Sequence, residues 1–220
     1  MKRIPLFLLA NFVLLAGFAQ TSKFNPRELF GLDFYPNSGN PIRSANGSPG
    51  PQYWQNSADY KLAVTLDTAQ HKISGTVDIS YTNNSPDNLN YLWLQLDQNI
   101  YRADSRGTGL SAPAGGRYAN LGFTQGYVIK SVSVEADGKT YTPRFTVNDT
   151  RMQVWLQEAL KAAGKRAKLS IAYEFTVPEY GTDRMGRLRT KNGWVYTIAQ
   201  WYPRMCVYDD QQGWNTLPYL

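Results

Sequence analysis

A chain of 220 residues with 42% hydrophobic and 18% charged residues is globular rather than disordered, and its length suits one all-β domain or two small ones. Removing the leader-like Lys2 and Arg3 takes the formal charge from +6 to +4, too mild to point to nucleic acid. A single cysteine, Cys206, excludes an internal disulfide and a cysteine zinc site, so an exported domain of this kind is held by its core.

Residues 1–19 read as a secretory signal. Lys2 and Arg3 form the positive start, Leu6 to Leu15 the apolar core, and Gly17-Phe-Ala19 the small-residue cleavage site. The apolar run is too short and wrongly flanked for a membrane span. The expected location is therefore outside the cytoplasm, periplasmic or secreted. Residues 20–59 are rich in Pro, Gly, Asn and Ser and predict an extended arm with turns, pinned by Phe30, Phe34, Tyr53 and Trp54.

From Tyr60 the pattern has period two. Tyr60, Leu62, Val64 and Leu66 alternate with Lys61, Ala63, Thr65 and Asp67; after a turn, Ile73, Gly75, Val77, Ile79 and Tyr81 alternate with Ser74, Thr76, Asp78, Ser80 and Thr82. This predicts a hairpin with one wet face. Tyr91 to Leu96 is apolar at nearly every position and predicts a strand buried on both faces. Residues 98–126 read as a long glycine-containing loop. No Gly-Lys-Ser/Thr follows it and no helix pattern opens there, so it does not read as a phosphate cradle.

Asp137-Gly138 between two alternating runs predicts a two-residue hairpin. Arg151 to Leu156 reads as a further strand, Gln157 to Ala163 as one helical turn stopped by Gly164, and Leu169 to Val177 as the cleanest strand of all. Basic residues flank it, Lys161, Lys165, Arg166 and Lys168 before, Arg184, Arg187, Arg189 and Lys191 after. Such charges at hairpin ends are ordinarily solvated. At least seven period-two segments and no long amphipathic helix give an all-β fold with two packed or strongly curved, mostly antiparallel sheets.

The chemistry-bearing groups are few. His71 is the only histidine and falls in a hairpin turn, where a solvated role is expected; no Ser-His-Asp or Cys-His set can be built around it. No H-E-x-x-H occurs. Asp209 and Asp210 are adjacent and would point to opposite faces of a strand. The expectation is a chain with no catalytic residue and no metal ligand of its own.

The richest stretch runs from Trp194 to Asp210. Trp194, Tyr196 and Ile198 share one face of a strand, Gln200 comes next, and Pro203 prevents the strand from continuing. A polar amide, two aromatics, an arginine and two carboxylates are thus delivered where the chain leaves a sheet, although a plain aromatic rim would show the same residues.

Tyr60-Lys-Leu-Ala-Val-Thr-Leu-Asp67, Ile73-Ser-Gly-Thr-Val-Asp-Ile-Ser-Tyr81, Asn84-Ser85, Leu89 to Leu96, Leu169-Ser-Ile-Ala-Tyr173 and Gln200 to Asp210 occur in an order that resembles the N-terminal β-domain of zinc metallo-aminopeptidases. These are gluzincins similar to aminopeptidase N and leukotriene hydrolase; Pro51 to Tyr60 resembles their exported bacterial branch. The resemblance covers roughly residues 50–220 and implies a saddle-like β-sandwich over 60–220. Its implied partner is a downstream catalytic domain of the same polypeptide, which would hold the zinc and act on a peptide substrate. On that reading the present sequence stops before the zinc ligands. In the family a Gln, and two residues later a Glu or Gln, reach into the active-site cleft. Gln200 matches the first position; Tyr202 stands at the second and cannot offer the charge that would pair with a substrate amine. Gln200 and Tyr202 are the expected substrate contacts, and Cys206 is expected to pack rather than react. The alternative is a self-contained exported β-sandwich that binds a glycan or protein ligand through Trp194, Trp201 and Trp214.

Overall fold

The computed structural model describes residues 39–110, 123–179 and 184–219. The expected signal segment, the start of the arm and part of the long loop lie outside the described residues. The chain divides into two units, one ending at Tyr53 and one beginning at Trp54. Within the first, isolated bridges join Gly39 to Ser44 and Arg43 to Pro49. Asn40 Oδ1 there accepts from the backbone N–H groups of Ile42 and Arg43, both at 2.8 Å, the local turn bond that asparagine favours.

The second unit is all-β. In chain order it contains β1 (Ser57–Asp67), β2 (Lys72–Asn83), β3 (Leu89–Gln95), a 3-10 turn (Asp97–Tyr101), α1 (Arg106–Leu110), β4 (Val128–Ala136), β5 (Lys139–Tyr141) and β6 (Phe145–Asn148). It continues through β7 (Arg151–Leu160), β8 (Lys165–Thr176), β9 (Met185–Thr190), β10 (Gly193–Ile198), β11 (Arg204–Met205), β12 (Tyr208–Asp209) and β13 (Gly213–Trp214). One sheet has the order β1-β2-β8-β4-β5 and another the order β11-β3-β7-β6; β9 with β10 and β12 with β13 form separate two-stranded ribbons. Every pairing is antiparallel.

Both large sheets feed one core. Ile73, Val77, Ile79 and Tyr81 of β2 and Leu169, Ile171, Tyr173 and Phe175 of β8 come from the first; Leu92, Leu94, Met152 and Val154 come from the second. The period-two alternation thus becomes the inward phase of each strand. Gly75 stands opposite Val64, and a Cβ there would lie 2.3 Å from the carbonyl oxygen of Ala63, so only glycine fits this crossing. On the outermost strand Leu62, Val64 and Leu66 keep the same phase but remain exposed.

The Asp-Gly hairpin forms as expected between β4 and β5, with φ of 48° at Asp137 and 75° at Gly138. Three expectations need correction. The segment 157–163 is not a helical turn: β7 runs to Leu160, paired with Leu89, and the chain reverses through Ala163 and Gly164 at positive φ. Asn83 holds that reversal by donating to the carbonyls of Asp87, Leu160 and Lys161. β3 is not buried on both faces: Leu92, Leu94 and Leu96 are fully buried, whereas Tyr91, Trp93 and Gln95 are half-buried. Their face carries the segment 216–219 instead of a second sheet. Gln95 Nε2 donates to the Leu217 carbonyl at 3.1 Å, Arg151 Nη1 to the Thr216 carbonyl at 2.7 Å, and the Tyr219 N–H to Thr150 Oγ1 at 2.9 Å. The long loop opens with the 3-10 turn and α1, which the glycine-rich composition concealed. Among the described residues no helix is long and apolar enough to cross a membrane.

Candidate functional site

The β9–β10 ribbon sets the approach to the site. Its register pairs Trp194 with Arg189, Tyr196 with Arg187 and Ile198 with Met185, so these six side chains share one face. That face turns toward the core: Met185 is buried, and Tyr196 and Ile198 pack against the core. The guanidinium groups of Arg187 and Arg189 lie over the Trp194 ring at 5.6 and 5.4 Å, and the ring of His71 meets it edge-on at 4.5 Å. His71 is therefore not a free turn residue. Its Nδ1 lies 2.6 Å from the Tyr196 hydroxyl, which ties the β1–β2 turn to β10.

Beyond Ile198 the chain leaves the ribbon. Gln200 adopts φ of 52°, in the left-handed region that costs a side-chain-bearing residue about 1–2 kcal/mol. It is held there from the 3-10 turn, because the buried Gln98 donates through Nε2 to the carbonyls of Ala199 at 3.3 Å and Gln200 at 3.0 Å. The Gln200 side chain is half-buried, and its Oε1 accepts from the Tyr219 hydroxyl at 2.7 Å. The strand therefore does not aim Gln200 directly; a left-handed residue past its end does.

Tyr202 is half-buried between Tyr60 and Trp201, edge-to-face with both at 5.6 and 5.2 Å. Pro203 is buried, and Arg204 enters β11 opposite Gln95, which stands opposite Arg151. Arg204 Nε donates to Asp97 Oδ2 at 2.8 Å. Burial raises the Asp97 carboxyl above its ordinary range, and the hydrogen bond from Arg204 pulls it part of the way back. The same bond raises Arg204, which is charged throughout the accessible range.

The structure thus brings Gln200, Tyr202 and Arg204 to one rim together with Asp97, Gln98 and Tyr219. The last three were not legible as site residues. Asp97 and Gln98 follow a buried strand without any periodic signal, and Tyr219 reaches Gln200 only because residues 216–219 lie across β3 and β7. Cys206 is buried, its thiol is pushed up to about 12 chiefly by burial, and its N–H donates to the Trp93 carbonyl. Such a thiol is a packing group, since the thiolate is the reactive form. Asp209 Oδ1 caps the turn by accepting from the N–H groups of Gln211 and Gln212.

The three tryptophans do not make a common platform. Trp194 is half-buried against His71 and the two arginines, Trp201 leans on Tyr202, and Trp214 stacks on Tyr81 and meets Tyr208 edge-on. No group of three His, Cys, Asp or Glu among the described residues could hold a metal ion, so these residues do not fit a zinc centre. No protein-family model matches the chain, and no curated protein matches it either.

Proposed function

We propose that the chain is the non-catalytic N-terminal β-domain of an exported zinc metallopeptidase of the aminopeptidase type, and that the rim at Gln200 and Tyr202 lines its substrate cleft. The all-β sandwich supports this reading, as does the order of sequence segments that resembles the gluzincin β-domain. The observation that carries it is Gln200 itself. The protein holds a glutamine in left-handed conformation at the rim of its core and clamps it from a buried turn. Such strain persists only where the surroundings over-determine it, and it concentrates at functional sites. The surface around Trp201, Tyr202, Val207, Tyr208, Trp214 and Leu217 is the one that would pack on a catalytic domain. Val207 and Leu217 are 63% and 70% exposed. In this reading the zinc and its general base belong to that other domain, and this chain contributes shape and polar contacts.

The test uses the product of the whole gene. It should contain one zinc and cleave aminoacyl substrates, and Gln200→Ala should lower kcat/KM about tenfold, about 1.4 kcal/mol, with zinc content unchanged. A whole product without H-E-x-x-H, or one that cleaves no peptide, overturns the reading.

A further inference from the structure

Gln200, Tyr202 and Arg204 bring hydrogen-bond donors and a hydroxyl to the rim, whereas the rim's unpartnered acceptors, Asp97 Oδ1 and Gln98 Oε1, are buried. Arg204 uses Nε on Asp97, and its two Nη groups have no partner among the described residues. The Arg204 side chain is 41% exposed and that of Asp97 1%. The cation therefore faces solvent while the anion that balances it is sealed inside. Tyr219 occupies Gln200 Oε1, which leaves the two donors of Nε2 without a partner among the described residues. The Tyr202 hydroxyl likewise has none and is not sealed in the core. The phenols of Tyr202 and Tyr219 both act electrostatically on Arg204, and Tyr219 is tied to Gln200 by its hydroxyl.

The exposed cation of Arg204 favours an anion at this point of the rim, since the balancing carboxylate of Asp97 is buried. That cation suits a planar anion with two oxygens, because the outer edge of a guanidinium presents two parallel N–H groups at carboxylate spacing. The buried Asp97 fixes Arg204 from behind, and Gln98 fixes Gln200, so the donors are positioned before any ligand arrives.

We propose that Gln200, Tyr202 and Arg204 form a carboxylate-binding site, whose ligand is the free carboxylate of a peptide or of a small organic acid. This site is a property of the chain alone and does not depend on the peptidase reading.

The experiment titrates the isotope-labelled chain, followed by NMR of the Gln200 side-chain amide and the Arg204 guanidinium, with acetate, with N-acetyl-alanyl-alanine and with the C-terminal amide of the same dipeptide. Both acids should shift these resonances and the amide should not. A tighter fit for the dipeptide acid than for acetate assigns the site to peptide ends, and equal affinity assigns it to small organic acids. Gln200→Glu puts a competing carboxylate beside Arg204 and should weaken binding at least about tenfold, the scale of losing one charge-assisted contact. Removing Arg204 alone would strand the Asp97 charge, so the charge is removed as the pair Asp97→Asn with Arg204→Gln; this should abolish binding in a protein whose circular dichroism is unchanged. Should that pair fail to fold, the Gln200→Glu titration decides alone. Acid and amide acting alike, an acid that leaves both resonances unmoved, or Gln200→Glu binding like the parent chain would each overturn the proposal. None of these outcomes bears on zinc content or peptide cleavage by the whole gene product, so the two readings fail separately.

Discussion

The buried side-chain amide of Gln98 donates to the main-chain carbonyl of Gln200 at 3.0 Å, and this contact joins the turn that follows β3 to the rim that follows β10. The two residues are remote in sequence, and the bond holds Gln200 in a backbone region that glutamine otherwise avoids. Its consequences can be measured.

Gln98→Ala removes both rim hydrogen bonds and leaves a hole in a fully buried position. It should lower the free energy of unfolding by about 2–4 kcal/mol, combining lost hydrogen bonds with a cavity. Adding Gln200→Gly should recover about 1 kcal/mol of this, because glycine carries no penalty in the left-handed region. Urea denaturation of the single and double variants checks both. A double variant no more stable than Gln98→Ala would show that Gln200 is not strained.

Among the described residues the buried hydroxyls of Tyr127 and Tyr173 have no hydrogen-bond partner, whereas that of Tyr81 accepts from Asn56 Nδ2 at 2.9 Å. Burial raises all three phenols, Tyr81 to about 12, so all are neutral at ordinary pH. Removing an unpartnered buried hydroxyl relieves a desolvation cost, and removing a bonded one forfeits the bond. Tyr127→Phe should therefore stabilise the fold by about 1 kcal/mol and Tyr81→Phe destabilise it by a similar amount. Chemical denaturation of the two variants side by side reads the sign directly.

Most of the sheet is legible in the sequence. The alternation in β2 and β8 gives their buried phase, and Asp137-Gly138 fixes its hairpin, because a period of two and a left-handed turn are local properties. The site was legible only in part. Gln200, Tyr202 and Arg204 stand close in sequence, and Pro203 marks the end of pairing. The groups that organise them, Asp97, Gln98 and Tyr219, arrive through contacts between remote segments, and no local pattern announces such a contact. The errors have the same origin. Gln157 to Ala163 has helical propensity, but pairing with β3 carries β7 to Leu160 and overrides it. His71 sits in a turn, as expected, yet Tyr196 and Trp194 from a distant ribbon close over it.

Asp78 and Ser170 stand directly opposite each other on β2 and β8, and Ser170 Oγ donates to Asp78 Oδ1 at 2.6 Å. That bond, with Lys168 assisting, depresses the Asp78 carboxyl below its usual range. A depressed carboxyl contributes stability that is complete above its unfolded value of about 3.9 and is lost as the pH falls through the lower folded value. Ser170→Ala should therefore cost about 1 kcal/mol at pH 7 and almost nothing near pH 2. Thermal unfolding of parent and variant across that range should show the two curves converging on the acid side. A constant gap would assign the effect of the serine to packing instead.

Two exposed apolar pairs make opposite demands on the proposed function. Leu188 and Val195 stand directly opposite each other on the outer face of the β9–β10 ribbon, 65% and 53% exposed. Val207 and Leu217 lie on neighbouring segments, joined where the Asn215 N–H donates to the Val207 carbonyl, beside the aromatic group of Tyr208 and Trp214. Scattered apolar residues are normal on a protein surface, but a patch continuous with half-buried aromatics marks a contact face. If this chain packs on a catalytic domain through that face, the isolated chain should associate through it. Val207→Lys with Leu217→Lys should then shift its sedimentation toward the monomer, and Leu188→Lys with Val195→Lys should not. Neither double variant should alter stability by more than about 0.5 kcal/mol, since each replaces exposed side chains. Association that is abolished only by the ribbon variant would move the contact face to β9 and β10, away from the rim and from the cleft it is proposed to line.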